Sequence, residues 1–156
     1  MRSSPSVAAL LILLCVVVSS MAEAPRKPVD NELIGSWLLL QINRGGKDID
    51  LDHLEGAIRK VESDTYIITP LEGPAITGTY TVNPTATPRT IDMHVQNGRF
   101  KGGILKGIYQ VKKKRLTISF ASPGGERPTA LESREGTAYT VAIHKLVKPK
   151  VKKKAK

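Results

Sequence analysis

The sequence predicts an all-β fold: an antiparallel up-and-down barrel of about eight strands, with one short helix after the first strand. Three observations carry that reading. They are short apolar segments with period-2 alternation, punctuation by glycine, proline and charged turns, and links short enough to pair consecutive strands. The alternation is clearest in Ile76/Gly78/Tyr80/Val82 against Thr77/Thr79/Thr81, in Ile91/Met93/Val95 against Asp92/His94, and in Leu116/Ile118/Phe120 against Thr117/Ser119. Successive side chains on a strand point to opposite faces, so each segment has one apolar and one polar face. A meander with one apolar face loses its exposed edges by closing, and a small closed barrel either fills with side chains or holds one small ligand.

The expected strands span residues 33–42, 57–61, 65–70, 75–82, 90–95, 103–111, 116–121 and 138–145. Between the first two, residues 50–56 read as helical: Asp50 is the N-cap, Leu51 and Leu54 share a face, and Gly56 stops the turn. Asp48, Asp50 and Asp52 alternate without the glycine and closing glutamate of a calcium loop, so capping accounts for them. Asn97-Gly98, Lys112-Lys113-Lys114 and Ser122-Pro123-Gly124-Gly125 supply turns between strands.

The chain ends read differently from this body. Residues 1–22 have the parts of a secretory signal: Arg2, an apolar run from Val7 to Val18, and Ser20-Met21-Ala22 as a small-x-small cleavage site. The run is shorter than the roughly 20 residues a membrane span needs, so an exported protein without a transmembrane segment is expected, in the periplasm, at the cell surface or secreted. Cys15, the only cysteine, would leave with the signal, and the mature chain would then rely on its core without a disulfide. Residues 23–31 are polar with two prolines and read as a linker, and residues 32–147 as one domain. Lys+Arg total 24 against 14 for Asp+Glu, but seven of the lysines lie between Lys145 and Lys156, so the domain itself is nearly neutral. Residues 148–156 are expected to be a disordered tail.

Gly35-Ser36-Trp37 on the first strand resembles the Gly-x-Trp signature of lipocalins. That resemblance implies a tryptophan closing one barrel end, with a basic residue of the last strand, here Lys145, packed over it. A fuller resemblance runs through Gly78-Thr79-Tyr80, Pro88-Arg89-Thr90-Ile91-Asp92, Gly107-Ile108-Tyr109, residues 116–121 and residues 123–128. These elements, with Gly35-Ser36-Trp37, are similar to an uncharacterised lipocalin-like exported family expanded in planctomycete bacteria. The chain departs from that pattern at Ser119, where a cysteine is frequent, and at Ala130-Leu131, where an aromatic follows the Arg-Pro step. The resemblance implies a lipocalin-like barrel and export, and it brings no activity with it.

No catalytic motif stands out: His-Glu-x-x-His, Gly-x-Ser-x-Gly and the phosphate-cradling glycine loop are missing, and neither cofactor nor metal is expected. His53, His94 and His144 fall on the expected helix and two separate strands, without metal-ligand spacing, and read as surface or rim residues. Tyr80, Tyr109 and Phe120, with Trp37, either line a pocket for a lipophilic ligand or simply fill the barrel. Glu126 and Arg127 read either as a charged pair at the barrel mouth or as an ion pair shaping the turn. In the tail, Lys148, Lys150, Lys152, Lys153, Lys154 and Lys156 suit salt-sensitive adhesion to a polyanion. For an exported protein this means an anionic envelope surface or polysaccharide. No specific nucleic-acid binding is expected, because no aromatic interleaves the lysines to stack on bases. A monomeric, non-enzymatic module for a small apolar or amphipathic ligand is the leading expectation, and a structural or envelope-associated carrier of the basic tail is the alternative.

Overall fold

Alternating apolar positions commit each segment to a strand with one face inward, and short turns commit each strand to pair with the next. The computed structural model describes residues 27–50, 54 and 56–148. Nine strands form one antiparallel sheet: β1 (Gly35–Arg44), β2 (Lys47–Asp48), β3 (Ile58–Val61), β4 (Thr65–Thr69), β5 (Ile76–Asn83), β6 (Thr90–Val95), β7 (Ile104–Lys112), β8 (Arg115–Phe120) and β9 (Thr140–Val147). From β3 onward each strand pairs with its successor, and β1 pairs with both β3 and β9. Eight strands therefore close into an up-and-down barrel, and β2 hangs from β1 outside that closure.

All eight expected strands are present, seven of them with shifted ends, and β2 is an addition. Gly45 and Gly46, both at positive φ (58° and 79°), turn the chain back so that Asn43 faces Asp48 and Arg44 faces Lys47. Positive φ at both central positions is the geometry of the tight hairpin turn, which glycine adopts without strain. Asp48 caps no helix. It accepts hydrogen bonds from Gln41 Nε2 (2.8 Å) and Asn43 Nδ2 (3.0 Å), which hold its carboxyl below the usual carboxylate range. The expected helix over residues 50–56 falls largely on residues 51–53 and 55, outside the described residues, while Leu54 and Gly56 lie in a turn. Among the described residues there is no helix, and hence none long and apolar enough to cross a membrane.

Leu33 and Ile34, expected at the start of the first strand, instead form a turn in which their amides donate to Asp30 O and Asn31 O. That turn drives Leu33 into the barrel end, where it is 1% exposed. Asp30, expected in a linker, is buried and belongs to the fold. It accepts hydrogen bonds from Tyr109 Oη (2.6 Å) and Arg89 Nη1 (3.1 Å). Trp37 is also 1% exposed, and its Nε1 donates to Leu33 O at 2.8 Å. With Tyr80, Tyr109, Leu116 and Ile118, these two residues fill the closed pole of the barrel.

Lys145 does not cover the indole. The inward phase of β9 runs through Ala142, His144 and Leu146, so Lys145 is exposed on the other face, and Leu146 packs against the core beside Trp37. The resemblance-based expectation is off by one residue in a strand, which places the side chain on the opposite side of the wall.

Candidate ligand-binding site

The inward positions nearer the other pole are smaller. Leu39 and Ile42 on β1, Ile68 on β4, Val95 on β6, Leu105 on β7 and Ala142 on β9 surround a cavity of about 290 Å³. Leu54, Asn97, Arg99 and Phe100 also line it, from the loops that form the mouth. Asn97 clasps this rim to β5: its Oδ1 accepts from Thr77 N and its Nδ2 donates to Ala75 O, both at 2.7 Å. Arg99 is exposed at the rim, its guanidinium 5.5 Å from the Phe100 ring centroid.

Arg59, Tyr66 and Met93 border both this cavity and the void of about 10 Å³ left in the filled half, so they make the cavity floor. Arg59 is drawn inside by strand phase: Ala57 and Val61 face inward, and the residue between them in that phase must do the same. Its guanidinium lies 5.3 Å from the centroid of the Tyr66 ring, and its Nη1 reaches Met93 Sδ at 3.5 Å. Tyr66 fits there because Gly78 faces it on β5. A Cβ at that position would lie 2.5 Å from the Tyr66 hydroxyl oxygen, so a side chain on residue 78 would displace the ring.

Arg59 is 7% exposed, its Nε has no hydrogen-bond partner, and it makes no ion pair among the described residues. Thioether sulfur is a weak acceptor, so the contact to Met93 satisfies little of this cation. Burial lowers the Arg59 pKa to about 10, which still leaves the group charged at neutral pH. His144, 2% exposed on β9, lines the same cavity, and its Nδ1 is unpartnered. Burial, with the nearby Arg59 charge second, pushes the His144 pKa down to about 3, so the imidazole is neutral. The arrangement is an apolar chamber with a bare cation and a neutral imidazole at its polar end.

The residues singled out in the sequence divide among several places. Phe120 lines the cavity. Tyr80 and Tyr109 belong to the filled half, where their hydroxyls donate to Glu62 O (2.5 Å) and Asp30 Oδ2 (2.6 Å). Glu126 and Arg127 do not pair. Glu126 is exposed, whereas Arg127 donates to Ile91 O and Gly107 O and pairs with Asp92 at 2.7 Å, bracing β6 against β7. His144 is neither a surface nor a rim residue, His94 is half-buried on the outer face of β6, and His53 lies outside the described residues. Of the tail lysines, Lys148 is exposed, and Lys150, Lys152, Lys153, Lys154 and Lys156 lie outside the described residues.

Sequence reasoning missed Arg59, Tyr66, Met93 and His144 as members of one site. The signal was their phase: each sits an even number of residues from an apolar inward neighbour on its own strand. No family model, curated protein or solved structure matches this chain.

Proposed function

We propose that this protein is an exported, non-enzymatic, lipocalin-like binding module that takes up a small apolar or amphipathic ligand at the open pole of its barrel. The cavity of about 290 Å³ carries the reading. Pockets for small molecules are concave and mostly apolar, with a few placed polar groups, and begin at about 300 Å³. A chamber walled by leucine, isoleucine, valine and phenylalanine offers water little, so an apolar ligand gains by replacing it.

Absence of turnover is supported by the chemistry of the floor. An efficient proton-transfer group titrates near the working pH. Arg59 and His144, at about 10 and about 3, sit far to either side of neutrality. The lipocalin-like part rests on Gly35-Ser36-Trp37 at the closed pole, the planctomycete family resemblance on the motifs given above, and export on the leader-like residues 1–22.

Titration of the purified protein with a fluorescent apolar reporter tests this reading. Saturable enhancement at one site per chain is expected, and an Ala142→Phe variant, which fills the chamber, is expected to abolish it. Equal enhancement by both proteins, or none by the parent, refutes the proposal.

Adhesion to a polyanion is favoured by a separate feature of the closed pole. Lys114, Lys145 and Lys148, with Lys60 paired to Glu62, gather around a shallow depression there, beside the start of the tail. Deleting residues 148–156 is expected to weaken retention on anionic envelope material at low salt, and unchanged retention excludes this reading.

A further inference from the structure

We propose that the ligand of this cavity is a single-chain carboxylate amphiphile of roughly eight carbons, seated head-first with its carboxylate on Arg59 and its chain running toward the mouth. This rests on the binding reading above and adds to it the ligand's charge, its length and its direction.

The charge follows from what is missing around Arg59. A buried cation is strongly unfavourable unless it is paired, and a guanidinium offers five donors in a planar fork that matches a carboxylate. Here the face of the fork is covered by Tyr66, one nitrogen reaches only a thioether, and Nε reaches nothing. No carboxylate lines the cavity among the described residues, so the compensating anion has to arrive with the ligand. His144 adds a polar group without charge: its neutral imidazole lines the same cavity, with Nδ1 unpartnered. One guanidinium and one neutral imidazole balance a single negative charge. A phosphate dianion would leave charge uncompensated in an apolar chamber, which is unfavourable by the same argument.

Length follows from volume. At roughly 30 Å³ for each water-sized group, 290 Å³ admits about ten heavy atoms, the size of octanoate. Direction follows from the floor's position: Arg59 borders the filled half, so the chain can extend only past Ile68, Val95, Leu105 and Phe120 toward Phe100 at the mouth.

Calorimetric titration of the protein with octanoate, octanol and octylamine, each also against Arg59→Met, tests the inference. Octanoate is expected to bind about ten-fold or more tighter than octanol, and octylamine not at all. In Arg59→Met the preference for octanoate disappears while octanol still binds. Because that substitution removes a buried unpaired charge, its thermal midpoint is expected to equal or exceed the parent's, and Arg59→Lys, which keeps the charge but not the fork, is expected to retain a reduced preference. Equal binding of octanoate and octanol by the parent overturns the anion seat and leaves the binding reading standing. Loss of the octanoate preference in Arg99→Met but not in Arg59→Met overturns the head-first orientation. If no amphiphile and no apolar reporter binds, the binding reading falls and the inference with it.

Discussion

The closed and open halves of this barrel share the same strands and the same hydrogen-bonded wall, yet they differ in what the wall encloses. In the closed half Trp37, Tyr80 and Tyr109 reach the axis, Leu33 plugs the end, and about 10 Å³ is left empty. In the open half the inward residues include Ala57, Ala142, Val95 and Leu105, and about 290 Å³ stays empty. Wall geometry does not decide between a filled and a hollow interior. Side-chain volume at each level does, and a chain with only 4% aromatics can still seal one pole by placing its largest rings at one height.

Removing the largest ring of the filled half gives the largest expected effect. Trp37→Ala is expected to destabilise the protein by about 3–5 kcal/mol, read by chemical denaturation, because the site cannot collapse around the hole. An unchanged midpoint would mean that the closed half is not the stability centre. Acid is expected to act next, through His144. Its imidazole takes a proton below pH 6.5 in the unfolded chain but only near pH 3 in the fold. The unfolded state therefore binds the extra proton throughout that window. This contribution is fully present above pH 6.5 and is lost as pH falls toward 3. Denaturation curves of the parent and of His144→Leu between pH 7 and pH 4 measure it, and parallel pH dependences would show the imidazole to be solvated.

Phe120→Ala, at the hollow level, sharpens the comparison. Its ring is half-buried and already borders empty space, so a loss of only about 1–2 kcal/mol is expected. A loss as large as that of Trp37→Ala would erase the distinction between the halves. Smallest is a gain at the β7–β8 turn, where Lys113 and Lys114 occupy left-handed backbone (φ 50° and 62°). Lys114→Gly relieves that strain and is expected to stabilise by about 0.5–1 kcal/mol, read as a rise in thermal midpoint.

The strands were legible because period 2 is a local property. Thr90 to Val95 alternates without interruption and has the same bounds in the fold as in the sequence. The start of β1 was not legible at that level, because Leu33 leaves the strand pattern only through the turn that Asp30 O anchors. Arg59 shows where the functional reading stopped. In Ile58-Arg59-Lys60-Val61 two adjacent basic residues look like one solvated patch, yet they lie on opposite faces, and only the phase shared with Ala57 and Val61 tells them apart. His144 and Lys145 repeat the lesson on β9. Whether the inner space is empty was beyond local patterns, since it depends on which side chains share a level, and that is set by register between strands distant in sequence.

An even number of wall strands has a consequence for how the molecule can be mounted. The described chain enters beside Leu33 and leaves after Val147, and Ser36 pairs with Val147 across the β1–β9 seam, so both ends emerge at the sealed pole. An affinity handle, a fluorophore or an immobilising support attached at Lys148, next to Val147, holds the molecule by its base and leaves the aperture facing outward, accessible to solutes.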